Sequence, residues 1–232
     1  MFLGLIPARG GSKAIPNKNI HLVGGKPLLA WTAEAALASS CLDRVIVSTD
    51  DAAIASCARD RGLEVPFLRP AEIADDVAPM IGVLRHALDW WHDEAGCDPE
   101  GIVLLQPTSP LRQSEDIDAA VACFRSHAAD SVVSVIEVPH QFSPVSVLTQ
   151  AEDGSLRPFQ QEGGRIFRRQ DKPRVLARNG PAVLVLKPEL VRMGQLYTDR
   201  TFPYLMHPLR SYDIDSTDDL PVVEALLVSR SV

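Results

Sequence analysis

The chain has 232 residues, 46% hydrophobic and 23% charged, and a formal net charge of −7 at pH 7. That length supports one large α/β domain with a full core, or one domain carrying a sizeable insertion. The acidic balance argues against nucleic acid as a partner, and no apolar stretch has the length to span a bilayer, so no membrane partner is expected. The N-terminus lacks the charged segment and cleavage site of a signal peptide, which points to a cytoplasmic protein. Cys41, Cys57, Cys97 and Cys123 show no C-x-x-C pairing, which excludes a zinc ribbon or redox motif and predicts buried thiols.

In chain order, residues 1–8 read as a strand that ends in a loop rich in cations and glycine. Gly10 and Gly11 let the backbone approach a ligand closely. Arg9 can chelate two phosphate oxygens, while Lys13 and Lys18 act as movable point charges. Three cations so close to one another call for an anion among them. A helix follows over 26–38 with Pro27 in its first turn, then a strand over 42–49 and a helix over 52–61 capped by Asp50 or Asp51. Residues 63–68 read as a short strand, and 69–79 as a loop.

Leu84, Leu88 and Trp91 recur at helical spacing in a helix predicted over 80–94, with Trp90 and Trp91 packing on the sheet. A strand at 101–106, a helix at 116–126 and a strand at 131–138 come next. From 139 to 179 the texture changes to Pro, Gln, Gly and Arg, with short alternating pieces at 145–148 and 165–167, an excursion from the main sheet. A strand at 182–186, a brief helix at 188–193, an edge strand at 201–207 and a helix over 216–229 begun by Ser216 or Thr217 close the chain. The alternation predicts a parallel sheet wound with helices.

In such sheets ligands sit beyond the carboxyl ends of the strands. The residues found there are Ala8 to Lys13, Arg69, and the run Gln106-Pro107-Thr108-Ser109-Pro110-Leu111-Arg112. Neither G-x-G-x-x-G nor G-x-x-x-x-G-K-[ST] is present. Asp213 and Asp215 lie two apart, so on an extended segment both carboxylates point to one side, a geometry suited to Mg²⁺. The histidines show no ligand spacing, and no nucleophilic triad assembles.

The segments Ile6 to Lys13, Ile15-Pro16-Asn17-Lys18-Asn19, Gln106 to Arg112, Arg169-Gln170, Asn179-Gly180 and Asp213-Ile214-Asp215, in this order, resemble those of the acylneuraminate cytidylyltransferases, the CMP-sialic acid synthetases and their relatives for legionaminic and pseudaminic acids. The resemblance spans nearly the whole chain. It implies an α/β fold of the nucleotide-diphospho-sugar transferase type: a Rossmann-like, mainly parallel sheet with helices on both faces, and an inserted dimerisation hairpin. Residues 1–138 and 180–232 would form the nucleotide-binding domain, and 139–179 the dimerisation and sugar-pocket insertion of a homodimer.

The implied reaction joins CTP to a nine-carbon α-keto sugar acid, with Mg²⁺ (or Mn²⁺) as cofactor. Ala8, Arg9, Gly10, Gly11, Ser12, Lys13, Lys18, Asn19, Arg69 and Gln106 would bind the nucleotide. Gln106, Thr108, Ser109, Arg168, Arg169, Gln170 and Asn179 would bind the sugar acid, and Asp213 and Asp215 the metal. Arg9, Lys13, Gln106 and Asp215 would carry catalysis. A shorter keto sugar acid, or a non-catalytic nucleotide-binding regulator, are the alternatives; the intact metal carboxylates argue against the regulator. Leu176, where the family has an aromatic residue, and Pro181-Ala182-Val183, in place of Ala-Ile-Tyr, point to an acid other than N-acetylneuraminate. Ala14 replaces a glycine, at a cost of about 1 kcal/mol if the backbone there has positive φ.

Overall fold

The computed structural model describes residues 1–75, 78–160, 168 and 171–230. In chain order the elements are β1 (Phe2–Pro7), β2 (Leu22–Val23), β3 (Lys26–Pro27), α1 (Leu28–Leu37), β4 (Arg44–Ser48), α2 (Ala52–Arg59), α3 (Met80–Ala95), β5 (Gly101–Leu104), α4 (Ser114–Ser126), β6 (Ser131–Glu137), β7 (Leu148–Gln150), β8 (Leu156–Pro158), β9 (Leu176–Arg178), β10 (Leu184–Leu186), α5 (Pro188–Met193), β11 (Thr201–Leu205) and α6 (Asp219–Arg230).

Among the described residues the main sheet runs β11-β6-β10-β5-β1-β4, with β9 also paired to β6. β1 lies parallel between β4 and β5. All its residues are buried, which explains a continuous apolar run rather than an alternating one. β11 is parallel to β6. The exceptions are β9, antiparallel to β6, and β10, antiparallel to both β5 and β6, which brings the start of β10 to the edge where the parallel strands end. The mainly parallel sheet predicted from sequence is therefore present.

Helices cover both faces. Phe2, Ile6, Leu29, Ile54, Val121 and Phe124 pack α1, α2 and α4 against one side. Leu3, Leu5, Leu84, Leu88, Trp91 and Val191 pack α3 and α5 against the other, so Trp91 sits on the sheet as predicted. A third cluster of Ile15, Val23, Leu28, Leu111, Ile214, Val223 and Leu227 ties the first loop to α6 and to the segment before it. The ends of the helices follow their residues. Asp51 accepts from the Ala53 and Ile54 amides at the start of α2, and Gly96 closes α3 at φ 70, each a standard terminus.

Four expectations need correction. Residues 63–68 make only isolated parallel bridges, Ile46 to Glu64 and Thr49 to Leu68, because Pro66 between them has no N–H for a ladder. The helix predicted from Lys26 begins at Leu28, since Lys26 and Pro27 pair instead with Leu22 and Val23. The last helix begins at Asp219, not Ser216: the Asp219 carboxylate turns back to accept from the Asp215 and Ser216 amides and the Ser216 hydroxyl. Cys97 is exposed and the other three cysteines are only half-buried; Cys97 lies in the polar loop beyond α3, where no sheet covers it.

In the excursion, β7 and β8 form an antiparallel hairpin, and β9 is already paired with β6 ahead of residue 180. The alternating piece at 165–167 lies outside the described residues.

Candidate active site

The first loop leaves β1 at the carboxyl edge of the sheet and is fixed from two sides. Ala8 donates its amide to Ser48 O (3.0 Å) and Gly10 donates to Asp50 Oδ1 (2.9 Å), both at the end of β4. A Cβ on Gly10 would stand 3.1 Å from Asp51 Oδ2 and 3.2 Å from Asp51 Cβ, so any other residue here would push the Asp51 side chain aside by a few tenths of an ångström. Asn19, 8% exposed, donates from Nδ2 to Arg9 O at 2.8 Å and closes the loop on itself. The left-handed residues are Gly11 (φ 64) and Asn17 (φ 53). Ala14 is not among them, so the cost foreseen for it does not arise.

The loop forms one wall of a cleft lined by Pro7, Arg9, Ser12, Lys18, Asn19 and Arg69, faced by Met80, Gln106, Pro107 and Thr108. Arg69 is 6% exposed. Its Nε donates to Ser48 Oγ (3.0 Å), its Nη2 to Ser48 O, and its own amide to Thr49 O. Burial, reinforced by the nearby Arg9, brings its pKa down to about 10 against the opposing pull of Asp50, and the group stays charged at neutral pH.

Across the cleft the Gln106 carbonyl accepts from Arg112 Nη1 (3.1 Å), the Ser109 amide (3.4 Å) and Thr32 Oγ1 (3.5 Å). Thr108 O accepts from the Ile214 amide at 2.8 Å, and the buried Ile214 side chain anchors that segment in the third cluster. Asp213 is thereby held beside Thr108 and Ser109; Ser109 Oγ donates to Asp213 Oδ1 at 3.2 Å. Burial and the neighbouring Asp215 raise the Asp213 pKa, against the Thr108 and Ser109 hydrogen bonds and the Lys18 charge. Lys18 Nζ stands 3.9 Å from Asp215 Oδ1, with the Asp215 side chain 84% exposed.

The predicted residues therefore divide. Arg9, Ser12, Lys18, Asn19, Arg69, Gln106 and Thr108 line one cleft, with Ala8, Gly10 and Gly11 in its loop and Lys13 exposed on that loop. Ser109, Asp213 and Asp215 adjoin it. Asn179 faces inward: 6% exposed, it accepts from Ser134 Oγ (2.6 Å) and donates to Ser211 Oγ (2.9 Å). Arg168 is exposed on the excursion, and Arg169 and Gln170 lie outside the described residues. Sequence reasoning passed over Met80 as a cleft residue and Asp50 as the acceptor for Gly10. The doubled acid after β4 was the available signal for Asp50, whereas Met80 carried only a helical pattern.

With this arrangement in place, comparison with known proteins is decisive. A family model described as cytidylyltransferase matches residues 3–227. The chain belongs to the cytidylyltransferase family. Within the family it is 34% identical over 227 residues to the CMP-N,N'-diacetyllegionaminic acid synthase of Legionella pneumophila, covering 97% of this chain and 95% of that protein. It is also 34% identical to the N-acylneuraminate cytidylyltransferase of Streptococcus agalactiae serotype V, covering 93% of this chain but about half the length of that relative. Among solved structures, a CMP:2-keto-3-deoxy-manno-octonic acid synthetase complexed with CTP superposes with a TM-score of 0.71 at 18% identity, 99% of each chain being covered. The 4-diphosphocytidyl-2C-methyl-D-erythritol synthase of Anaerococcus prevotii gives 0.65 at 12%, covering 98% of this chain and 96% of that one. At those identities both establish the fold.

Proposed function

We propose that this chain transfers CMP from CTP to the anomeric hydroxyl of a nine-carbon α-keto sugar acid of the sialic, legionaminic or pseudaminic type, releasing pyrophosphate. The observation that carries the reading is the junction of two half-sites: a cationic, glycine-bearing loop that meets, across one cleft, Gln106 and Thr108 backed by Asp213. The relative matched over almost its full length, a CMP-N,N'-diacetyllegionaminic acid synthase, supports the acceptor class.

In this reading the triphosphate lies against Arg9, Lys13 and Lys18, with Ser12 and Asn19 beside it. Arg69, already braced by Ser48, offers a fixed guanidinium edge to base or phosphate. Gln106 sits where nucleotide and acceptor meet, and Thr108 and Ser109 line the acceptor side. The sugar hydroxyl loses its proton and its oxygen bonds to the α-phosphorus. The bond from that phosphorus to the bridging oxygen breaks, and pyrophosphate leaves. Such a displacement rests on alignment and charge stabilisation rather than on a protein nucleophile.

Asp213 and Asp215 fit a Mg²⁺ or Mn²⁺ ion. Their mutual repulsion is what a divalent cation relieves, and Mg²⁺ needs only one or two protein carboxylates when phosphate and water complete its shell. Bound there, the ion would neutralise charge on the α-phosphate and the leaving pyrophosphate.

Asn179 acts in this account by bracing the acceptor side from behind. Arg168, Arg169 and Gln170 would reach the sugar carboxylate from a second copy of the chain, in a homodimer formed through the excursion. The exposed Phe142, Leu148, Leu156 and Phe159 on that segment support such a partner, and sedimentation velocity tests it: a dimer is expected, and a monomer at micromolar concentration would refute it. We assign the protein to the cytoplasm, where CTP is available.

The reaction is tested by incubating the protein with CTP, Mg²⁺ and a panel of eight- and nine-carbon keto sugar acids while following pyrophosphate. Release with a nine-carbon acid is expected. Release only with the eight-carbon acid would favour the shorter acceptor, and CTP binding without release would favour a regulator.

A further inference from the structure

Among the described residues Arg112 is the largest charged side chain sealed from solvent, 2% exposed. The reading above gives it no part. Among the described residues it has no contact ion pair. Nη1 donates to two backbone carbonyls, Gln106 O at 3.1 Å and Ala182 O at 2.7 Å, while Nε and Nη2 are buried without a hydrogen-bond partner. Asp116 and Asp213 act on it only through space, and burial still brings its pKa down to about 10.

A guanidinium buried in this way is expensive. Desolvating a cation costs several kcal/mol, and the three unsatisfied N–H groups on Nε and Nη2 add to the penalty. An aliphatic side chain of similar volume would fill the space without that cost, so stability alone does not account for an arginine here.

Its two carbonyl partners indicate what it does. Gln106 follows β5, and Ala182 precedes the antiparallel β10. Gln106 has left the sheet ladder, so its backbone orientation is set by whatever holds its carbonyl. Arg112 makes the shortest of the three hydrogen bonds to that oxygen, and turning the carbonyl inward directs the side chain into the cleft. The same Nη1 holds Ala182 O, two residues beyond the Gly180 turn. Gly180 there has φ 120, and its Cβ position is 3.4 Å from Ser109 Oγ and 3.6 Å from Asp213 Oδ2. One buried group thus spans the two backbone segments that frame the acceptor side.

We propose that Arg112 is a positioning residue for the acceptor half of the site: it fixes the direction of Gln106 and the spacing between Gln106, the Gly180 turn and Asp213, without touching either substrate. It is separate from the first loop, whose bracing comes from Ser48, Asp50 and Asn19. Arg112 therefore governs turnover and acceptor KM, with at most a small effect, through Gln106, on a CTP affinity set chiefly by that loop. This inference rests on the assignment of Gln106 to the junction of the two substrates.

The test is a double-mutant cycle on the full chain with Arg112→Lys and Gln106→Ala. Arg112→Lys is expected to lower kcat over acceptor KM at least about tenfold, with CTP affinity by calorimetry within about twofold of wild type. In the Gln106→Ala background the same change should cost less than about threefold, because the group it positions is gone. Multiplicative losses, or a parallel fall in CTP affinity, would overturn the proposal and leave Arg112 a general stability residue. Where Arg112→Lys fails to fold, Arg112→Ala with millimolar methylguanidinium replaces it: turnover that recovers saturably with the added cation supports the inference, and no recovery in a folded variant contradicts it. An activity-independent readout separates this from the proposed reaction. The side-chain amide resonance of Gln106 should shift in Arg112→Lys while the Gly10 and Gly11 amides hold still; an unmoved Gln106 resonance refutes the positioning role even if the enzyme turns over, and a shifted one stands even if no acid is a substrate.

Discussion

Lys18 Nζ lies 3.9 Å from the Asp215 carboxylate, so the first loop and a segment nearly two hundred residues later in the chain meet as opposite charges at one edge of the sheet. The contact joins the first loop to the acidic pair, and an ion bound by that pair would share Asp215 with Lys18.

Replacing that carboxylate separates function from stability. Asp215→Asn is expected to lower kcat at least about tenfold, equivalent to about 1.4 kcal/mol of transition-state stabilisation. The side chain is 84% exposed, so the melting temperature should move by no more than about 1–2 °C. Wild-type turnover at saturating Mg²⁺ would refute the metal assignment.

Asn19 holds the first loop through Arg9 O. Asn19→Ala removes one buried hydrogen bond, worth about 1 kcal/mol. If the folded loop geometry is what CTP recognises, the KM for CTP should rise about fivefold with kcat little changed. An unchanged KM would show that the loop is held by Asp50 and Ser48 alone.

Asn179 links Ser134 to Ser211. Asn179→Ala takes the acceptor from the Ser134 hydroxyl and a donor from Ser211 Oγ, although Ser134 Oγ still accepts from the Val183 amide and Ser211 still donates to His207 O. The change should destabilise the fold by about 2 kcal/mol, lowering the melting temperature by roughly 4–8 °C for a chain of this size. A melting temperature equal to wild type, with acceptor binding lost, would instead make Asn179 a direct ligand of the sugar acid.

At the opposite end of the sheet Asp118 pins the turn after α1. Burial would raise its carboxyl pKa, but hydrogen bonds from Ser39 and Ser40 outweigh it and bring the group down to about 2. A folded-state pKa below the unfolded value contributes stability above the unfolded pKa that is lost as pH falls through the folded one. The stability advantage of wild type over Asp118→Asn should therefore be constant from neutrality to about pH 5 and shrink between about pH 4 and pH 2. Denaturant unfolding across that range checks it, and a pH-independent difference would contradict the assignment.

Much of this was legible in the sequence, for identifiable reasons. β1 is a continuous apolar run because it is central and parallel, and Gly10 and Gly11 mark the turn by which the chain leaves it. The spacing of Asp213 and Asp215 placed both acids at the site. What escaped were features that depend on strand order. Arg112 reads as part of the polar run after β5, and its burial follows only when β10 inserts antiparallel between β5 and β6 and brings Ala182 O, 70 residues away, against its guanidinium. The inward partners of Asn179, Ser134 and Ser211, are likewise set by the fold and not by local sequence. The start of α6 was misjudged because Ser216 is a good cap by type, yet Asp219 serves the same amides from inside the helix.

The most direct test of the central claim follows ³¹P resonances of CTP and Mg²⁺ mixed with the purified chain and a nine-carbon keto sugar acid. The account predicts that the three CTP signals give way to one phosphodiester resonance, that of a CMP-sugar, together with pyrophosphate in equal amount. CTP signals that persist unchanged with every nine-carbon acid, or that decay to CDP and inorganic phosphate, would contradict it.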